Sequence, residues 1–351
     1  MRNLSKPLCV ALLMVGSMVA SQQIAVAAPQ FDSARIKGPN ACAECHVELA
    51  KAWKGSRHAK SFSELPSSDK ALAIAKKLNI KKIKTAKLCG SCHTTHQAWG
   101  DILLPIAGVS CESCHNPAAD WIKVHNSYSG KKSNTESMQE AISRWQTAEA
   151  KGMIRPYAIR SWTRRCYECH VIDDEKLINQ GGHPDDRRFE LVAWSQGEVR
   201  HNLWYNRGLA NPPADGDLLR KMFVTGLVLE LEMSLRALAK ARASGPYASR
   251  LAERIVASRK KIELLAGAFP GIPEMQTVAN AVTSELLIFD NQIPLLAAAD
   301  RVAELMEAMD LKDEIGEFER MDRFLPKPAA YRGQVFQPTI KAPATAGPAA
   351  K

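Results

Sequence analysis

Gly108-Val109-Ser110-Cys111-Glu112-Ser113-Cys114-His115 holds the pattern Cys-x-x-Cys-His, and the same frame recurs at Cys42–His46, Cys89–His93 and Cys166–His170. Eight of the nine cysteines fall in these four frames, paired as Cys42/Cys45, Cys89/Cys92, Cys111/Cys114 and Cys166/Cys169. The spacing has a chemical reason. Within one helical turn, residues i and i+3 face the same side, so two sulfurs can form thioethers to the two vinyl groups of one haem. The imidazole of the next residue then reaches the iron. This is the attachment signature of c-type haem, and four copies predict four covalently bound haem c groups. A zinc scaffold would use Cys-x-x-Cys pairs without needing a His after each second Cys. A disulfide scaffold has no cysteines left once the thioethers are made.

Working outward, the start of the chain reads as an export segment. Arg2 and Lys6 precede the apolar run Leu8 to Val19, and Ala25-Val26-Ala27 supplies the small residues at which a signal peptidase cuts. Residues 1–27 are therefore expected to be a removed signal peptide and the mature protein to be periplasmic. A lipoprotein is disfavoured because Cys9 lies before the apolar run. The run is too short for an ordinary membrane span, and nothing else is apolar enough for a polytopic membrane protein. The 351 residues carry 47 Lys and Arg against 37 Asp and Glu, a net charge of +10. That balance admits acidic partners, but without clustered Arg and interleaved aromatics it argues little for nucleic acid.

Ligand arithmetic follows from nine histidines. His46, His93, His115 and His170 are proximal by position, leaving His58, His96, His125, His183 and His201. Four irons need at most four more imidazoles, so bis-histidine ligation is possible with one to spare. His96 lies three residues after His93 and cannot easily reach the opposite face of the same haem, so it reads as the surplus residue. The distal set is then His58, His125, His183 and His201, each in a segment with a Trp or Pro anchor. Met is the alternative sixth ligand, but most methionines fall in the signal segment or the C-terminal region, where core packing explains them.

The order of motifs resembles the tetrahaem cytochrome c-554 family. The resemblance rests on Trp53-Lys54-Gly55-Ser56-Arg57-His58-Ala59-Lys60 and on Gly108 to His125, and it spans about residues 38–205. It implies His125 as distal ligand of the first haem, His58 as that of the third, and haems stacked in near-parallel pairs. Family founders leave the second haem five-coordinate. This chain adds Gly182-His183-Pro184 and His201, which could complete both the second and the fourth haem, so four six-coordinate haems are favoured. The sequence does not assign His183 and His201 individually.

The rest of the chain is expected to be mainly α. Residues 28–210 form a multihaem module with little regular secondary structure, because porphyrins replace much of the apolar core. Residues 69–87 suggest a lysine-rich helix, either a solvated face or a dock for an acidic redox partner. After the turn at Asn211-Pro212-Pro213-Ala214-Asp215-Gly216, residues 211–325 show helical periodicity. Met222, Gly226, Leu229 and Met233 mark one helix, and Leu251, Ile255, Ile262 and Leu265 a second. Further helices over 274–290 and 294–315 would complete a bundle or hairpins. This region packs on the haem module or makes a homo-oligomer, and no face of it is both basic and strongly apolar. Residues 326–351, rich in Pro and Ala, suggest a disordered tail.

The leading reading is a periplasmic electron carrier. Its partners would be a quinol-linked membrane cytochrome, a periplasmic oxidoreductase or a small soluble cytochrome. The rival is a haem enzyme of nitrogen-oxide chemistry acting on hydroxylamine, nitrite or nitric oxide. It would need an open iron face, most plausibly at Cys89, Cys92 and His93. No Cys-x-x-Cys-Lys motif supports it.

Overall fold

Helix boundaries in this chain are set by local chemistry that its haem motifs interrupt. The computed structural model describes residues 32–185, 189–204, 208–309, 311 and 317–338. The expected signal peptide at 1–27 and the end of the expected tail lie outside the described residues. Short helices dominate the first half: α1 (Pro39–Ala43), α2 (Val47–Gly55), α3 (Arg57–Glu64), α4 (Asp69–Lys77) and α5 (Lys87–His93). The Ser56 hydroxyl caps α3 by accepting from the Ala59 amide at 3.2 Å. The lysine-rich helix expected over 69–87 stops at Lys77, because Asn79 adopts the left-handed conformation at φ 55°. A 3-10 turn, Ile83–Thr85, then carries the chain to α5.

Two antiparallel strands follow, β1 (Thr95–Trp99) and β2 (Ile102–Ala107), an element the motif reading did not anticipate. Then come α6 (Cys111–His115), α7 (Ile122–His125), α8 (Met138–Ala150), α9 (Ile159–His170), α10 (Glu175–Asn179) and α11 (Leu191–Ser195).

The second half is built from α12 (Gly216–Leu238), α13 (Pro246–Ala268), α14 (Pro273–Asn280) and α15 (Gln292–Ala308). The Asp215 carboxylate starts α12 by accepting from the Leu218 amide at 2.8 Å. Both anticipated apolar faces point inward: Met222 and Leu229 on α12, and Leu251, Ile255, Ile262 and Leu265 on α13, are buried. The helix expected over 274–290 ends earlier, at Asn280, where a 3-10 turn at Ser284–Leu286 and the left-handed Asp290 redirect the chain.

The break expected at residue 211 is a turn in the chain and not a gap in the packing. One apolar core joins Tyr167, Val171, Ile178, Leu191 and Val192 to the inner faces of α12, α13 and α15. The cap of α13 also crosses that boundary, since Asn179 Oδ1 on α10 accepts from the Tyr247 amide at 2.9 Å. Part of the expected tail is ordered by the same logic. The Arg332 amide donates to the Ala193 carbonyl at 2.9 Å, and the Phe336 carbonyl accepts from Asn211 Nδ2 at 2.9 Å, so residues 326–338 have backbone partners that composition could not show.

Candidate haem-binding centre

Each Cys-x-x-Cys-His frame is one helical turn. Three of them close a helix, α5, α6 and α9, so the histidine sits at the C-terminal end with its ring free to leave the helix. The first instead begins in the last turn of α1 and runs past it, where the His46 amide bonds back to the Cys42 carbonyl at 2.9 Å. None of the eight described cysteines is in a disulfide.

Local contacts fix these turns in place. Glu112, inside the third motif, is fully buried, and its carboxylate accepts from the amides of Lys37 at 2.9 Å, Gly38 at 2.7 Å and Ala118 at 2.7 Å. One acid thereby ties the approach to the first motif onto the third. Gly108 allows a close approach, because a Cβ there would lie 2.1 Å from the His58 carbonyl oxygen. Ser61 Oγ donates to the His93 carbonyl at 2.7 Å and fixes α3 beside the second motif.

The eight expected ligand histidines come together in four pairs. Ring centroids are 6.0 Å apart for His46 and His125, 6.2 Å for His93 and His183, 6.3 Å for His115 and His201, and 6.4 Å for His58 and His170. Two assignments drawn from the resemblance are therefore corrected. His58 faces His170 of the fourth motif and not the third, with its helix fixed beside the second motif by the Ser61 bond to His93. The Gly-His-Pro and His201 pair meets the second and third motifs instead of the second and fourth. Gly181 lies against Leu78 and Ile74, which brings the loop bearing His183 over to the second motif.

The ninth histidine, His96, is buried and not on the surface. Its ring nitrogens lie 3.0 Å from the Lys84 carbonyl and 3.2 Å from Thr94 Oγ1. A Cβ on Gly90, inside the second motif, would sit 2.2 Å from that ring, so the motif's small residue makes room for it.

Ring orientation and charge state suit metal binding. Nδ1 lies 2.7 Å from a backbone carbonyl in His115, His183 and His201, and 3.0 Å in His125. Only an N–H satisfies a carbonyl, so Nε2 of each ring keeps its lone pair. Burial lowers His46, His58 and His93, and holds His115 down at about 4 and His170 at about 3. These rings are neutral, the form that coordinates a metal. His46 Nδ1 is buried with no partner.

A metal–imidazole bond of about 2 Å on each side, plus about 1 Å from each nitrogen to its ring centre, gives about the observed centroid spacing. The donor set therefore fits an iron porphyrin between each pair. Among the described residues no group of three or more His, Cys, Asp or Glu could hold a metal ion, which weighs against a zinc scaffold.

The four sites are contiguous. The Cys42 and Cys111 sulfurs lie beside one another, as do those of Cys92 and Cys169. Motif one thus meets motif three, and motif two meets motif four. Arg165 on α9 donates to Asn116 Oδ1, the residue after the third motif, at 2.5 Å, which links three to four.

Three further residues escaped the motif reading. Phe189 stacks on His170 with centroids 4.0 Å apart at 17°. Arg144 donates to the His125 carbonyl. Arg254 on α13 is buried, donates to the His170 carbonyl at 3.0 Å, and pairs with Asp185 at 3.2 Å and Glu230 at 3.3 Å. None has a sequence signature, because each acts from a distant segment.

Residues 41–116 match the family model described as cytochrome c554 and c-prime. This segment is similar to the cytochrome c-554 family. It takes in the first three motifs and ends one residue past His115. A relative, cytochrome c-554 of Nitrosomonas europaea, is 31% identical over 163 residues, covering 44% of this chain and 63% of that protein. The match thus spans less than two thirds of the relative's length. No solved structure matches. That similarity supports covalent attachment of haem c at these motifs.

Proposed function

We propose that this chain is an exported, periplasmic electron carrier with four haem c groups, each held between two imidazoles. The observation that carries this reading is the set of four histidine pairs, all spaced 6.0–6.4 Å between ring centroids. Cys42 and Cys45 with His46 and His125 would hold the first group, and Cys89 and Cys92 with His93 and His183 the second. Cys111 and Cys114 with His115 and His201 would hold the third, and Cys166 and Cys169 with His170 and His58 the fourth. When bound, each haem iron supplies a one-electron couple, and a contiguous series of such couples conducts electrons. The chain's own part is to set the order of sites, one–three–four–two, through the contacts between its motifs. Paired neutral imidazoles also keep the coordination unchanged between redox states.

The partners would be redox proteins, namely a quinol-linked membrane cytochrome, a periplasmic oxidoreductase or a small cytochrome. The enzymatic alternative, nitrogen-oxide chemistry at the second motif, needs an open face opposite His93, and His183 stands there. Replacing His183 by Ala is expected to convert one low-spin haem to high spin in the oxidised EPR spectrum, with the mass still showing four haems. An unchanged spectrum overturns the ligand set. A high-spin signal in the wild type that shifts on adding nitrite or nitric oxide would favour the enzyme.

A further inference from the structure

The β1–β2 hairpin is apolar where a soluble protein's surface is ordinarily polar. Trp99 is 78% exposed, Ile102 62%, Leu103 41% and Leu104 43%, whereas Thr95, His96 and Ala107 at the base are buried. The register pairs Trp99 with Ile102, Ala98 with Leu103 and Gln97 with Leu104. Cross-strand partners share a face and neighbouring pairs alternate. Trp99, Ile102 and Leu104 therefore lie on one face and Leu103 with Ala98 on the other. A flat partner could cover one face; only an enclosing medium covers both.

We propose that this hairpin is a finger that enters an anionic lipid surface. From its buried base at His96 to the tip at Trp99 is three residues, about 10 Å at strand rise, and interfacial elements bury to a depth of about 5–10 Å. Charge complements that depth. The His96 ring is bonded to the Lys84 carbonyl, so the 3-10 turn Ile83–Thr85 lies against the base of the finger. Lys81, Lys82 and Lys87 on either side of that turn are exposed and make no salt bridge among the described residues. They form a basic collar at the level lipid phosphates would occupy. Asp101, in the turn, is the finger's single acid and opposes entry. Among the described residues no helix is long and apolar enough to cross a membrane, so this contact is peripheral. Thr95 follows His93 by two residues, so docking turns the second motif toward the lipid.

The test is sedimentation of the mature holoprotein with phosphatidylglycerol-containing vesicles and with pure phosphatidylcholine vesicles, read by protein stain. The expected result is salt-sensitive binding to the anionic vesicles and little to the neutral ones. W99S with L103S should weaken it about tenfold or more. K81E with K82E and K87E should weaken it about fivefold per charge, and D101N should strengthen it. Unchanged Soret and circular dichroism spectra would show that the variants fold. Absence of binding to anionic vesicles overturns the proposal, as does binding indifferent to both variant sets. A wild-type dimer that W99S with L103S turns into a monomer, without vesicle binding, assigns the finger to a second copy of the chain instead. Salt-sensitive capture by an acidic protein, with no lipid binding, assigns it to that partner.

Discussion

Glu112 shows how much one side chain inside a cofactor motif can hold that the motif's chemistry does not ask of it. The frame needs only Cys111, Cys114 and His115, yet the residue between them anchors three backbone amides from two other segments. Replacing it by Gln removes the negative charge and one accepting oxygen. The expected loss is about 1.5–3 kcal/mol of unfolding free energy for each charged hydrogen bond broken, measured by urea denaturation. Asp would keep the charge but be too short to reach all the amides. Arg254 is the reverse case, a buried cation between two half-buried acids. Arg254→Met leaves Asp185 and Glu230 without their shared partner and is expected to cost about 3–5 kcal/mol. Phe189→Ala, at the same site, removes the ring stacked on His170. It is expected to lower stability by about 3–5 kcal/mol as a buried aromatic, with the fourth site's EPR signal the one that changes.

At the scale of elements, the cofactor motifs and the C-terminal helices were legible for different reasons. Cys42 to His46 and its three counterparts are read directly because thioether chemistry fixes their spacing. Leu251, Ile255, Ile262 and Leu265 are read because a helix buried on one side repeats every three or four residues. The pairing of His58 with His170 was not legible, since its helix is fixed by the Ser61 bond to His93, a long-range contact. The lysine helix was overextended because nothing in its composition marks Asn79 as left-handed. The same long-range logic makes α12 to α15 a cover for the fourth motif and not an appendage. A chain stopped at residue 210 exposes Tyr167, Val171, Leu191 and Val192. Each buried aliphatic side chain so stripped loses about 1.5–3 kcal/mol. The truncated chain is expected to yield no soluble tetrahaem protein, and recovery of a soluble product with a full Soret band would show that the first half folds alone.

At the scale of the whole molecule, the association expected through the C-terminal helices has a specific surface to use. Val256, 52% exposed, and Leu264, 59% exposed, lie eight residues apart on the outer side of α13, and Ile293, 81% exposed, begins α15. Residues i and i+8 lie about 80° apart around a helix, within the width of one face, so the first two border one apolar ridge. Light scattering on the mature protein is expected to report more than one copy, and Val256→Glu with Leu264→Glu to return it to a monomer. A monomeric wild type would leave the ridge without that role. The finger and the ridge are separate surfaces, so variants of one should not alter the behaviour assigned to the other.

The packing of α12 over α9 bears on biosynthesis. Cys166 lies against the apolar core that α12 completes, and burial pushes its thiol well up. A half-buried thiol raised in this way is a poor nucleophile, and the covering helix narrows an enzyme's approach to it. The porphyrin is therefore expected to be stitched to the fourth motif while the last third of the polypeptide is still undocked, with docking of α12 following attachment.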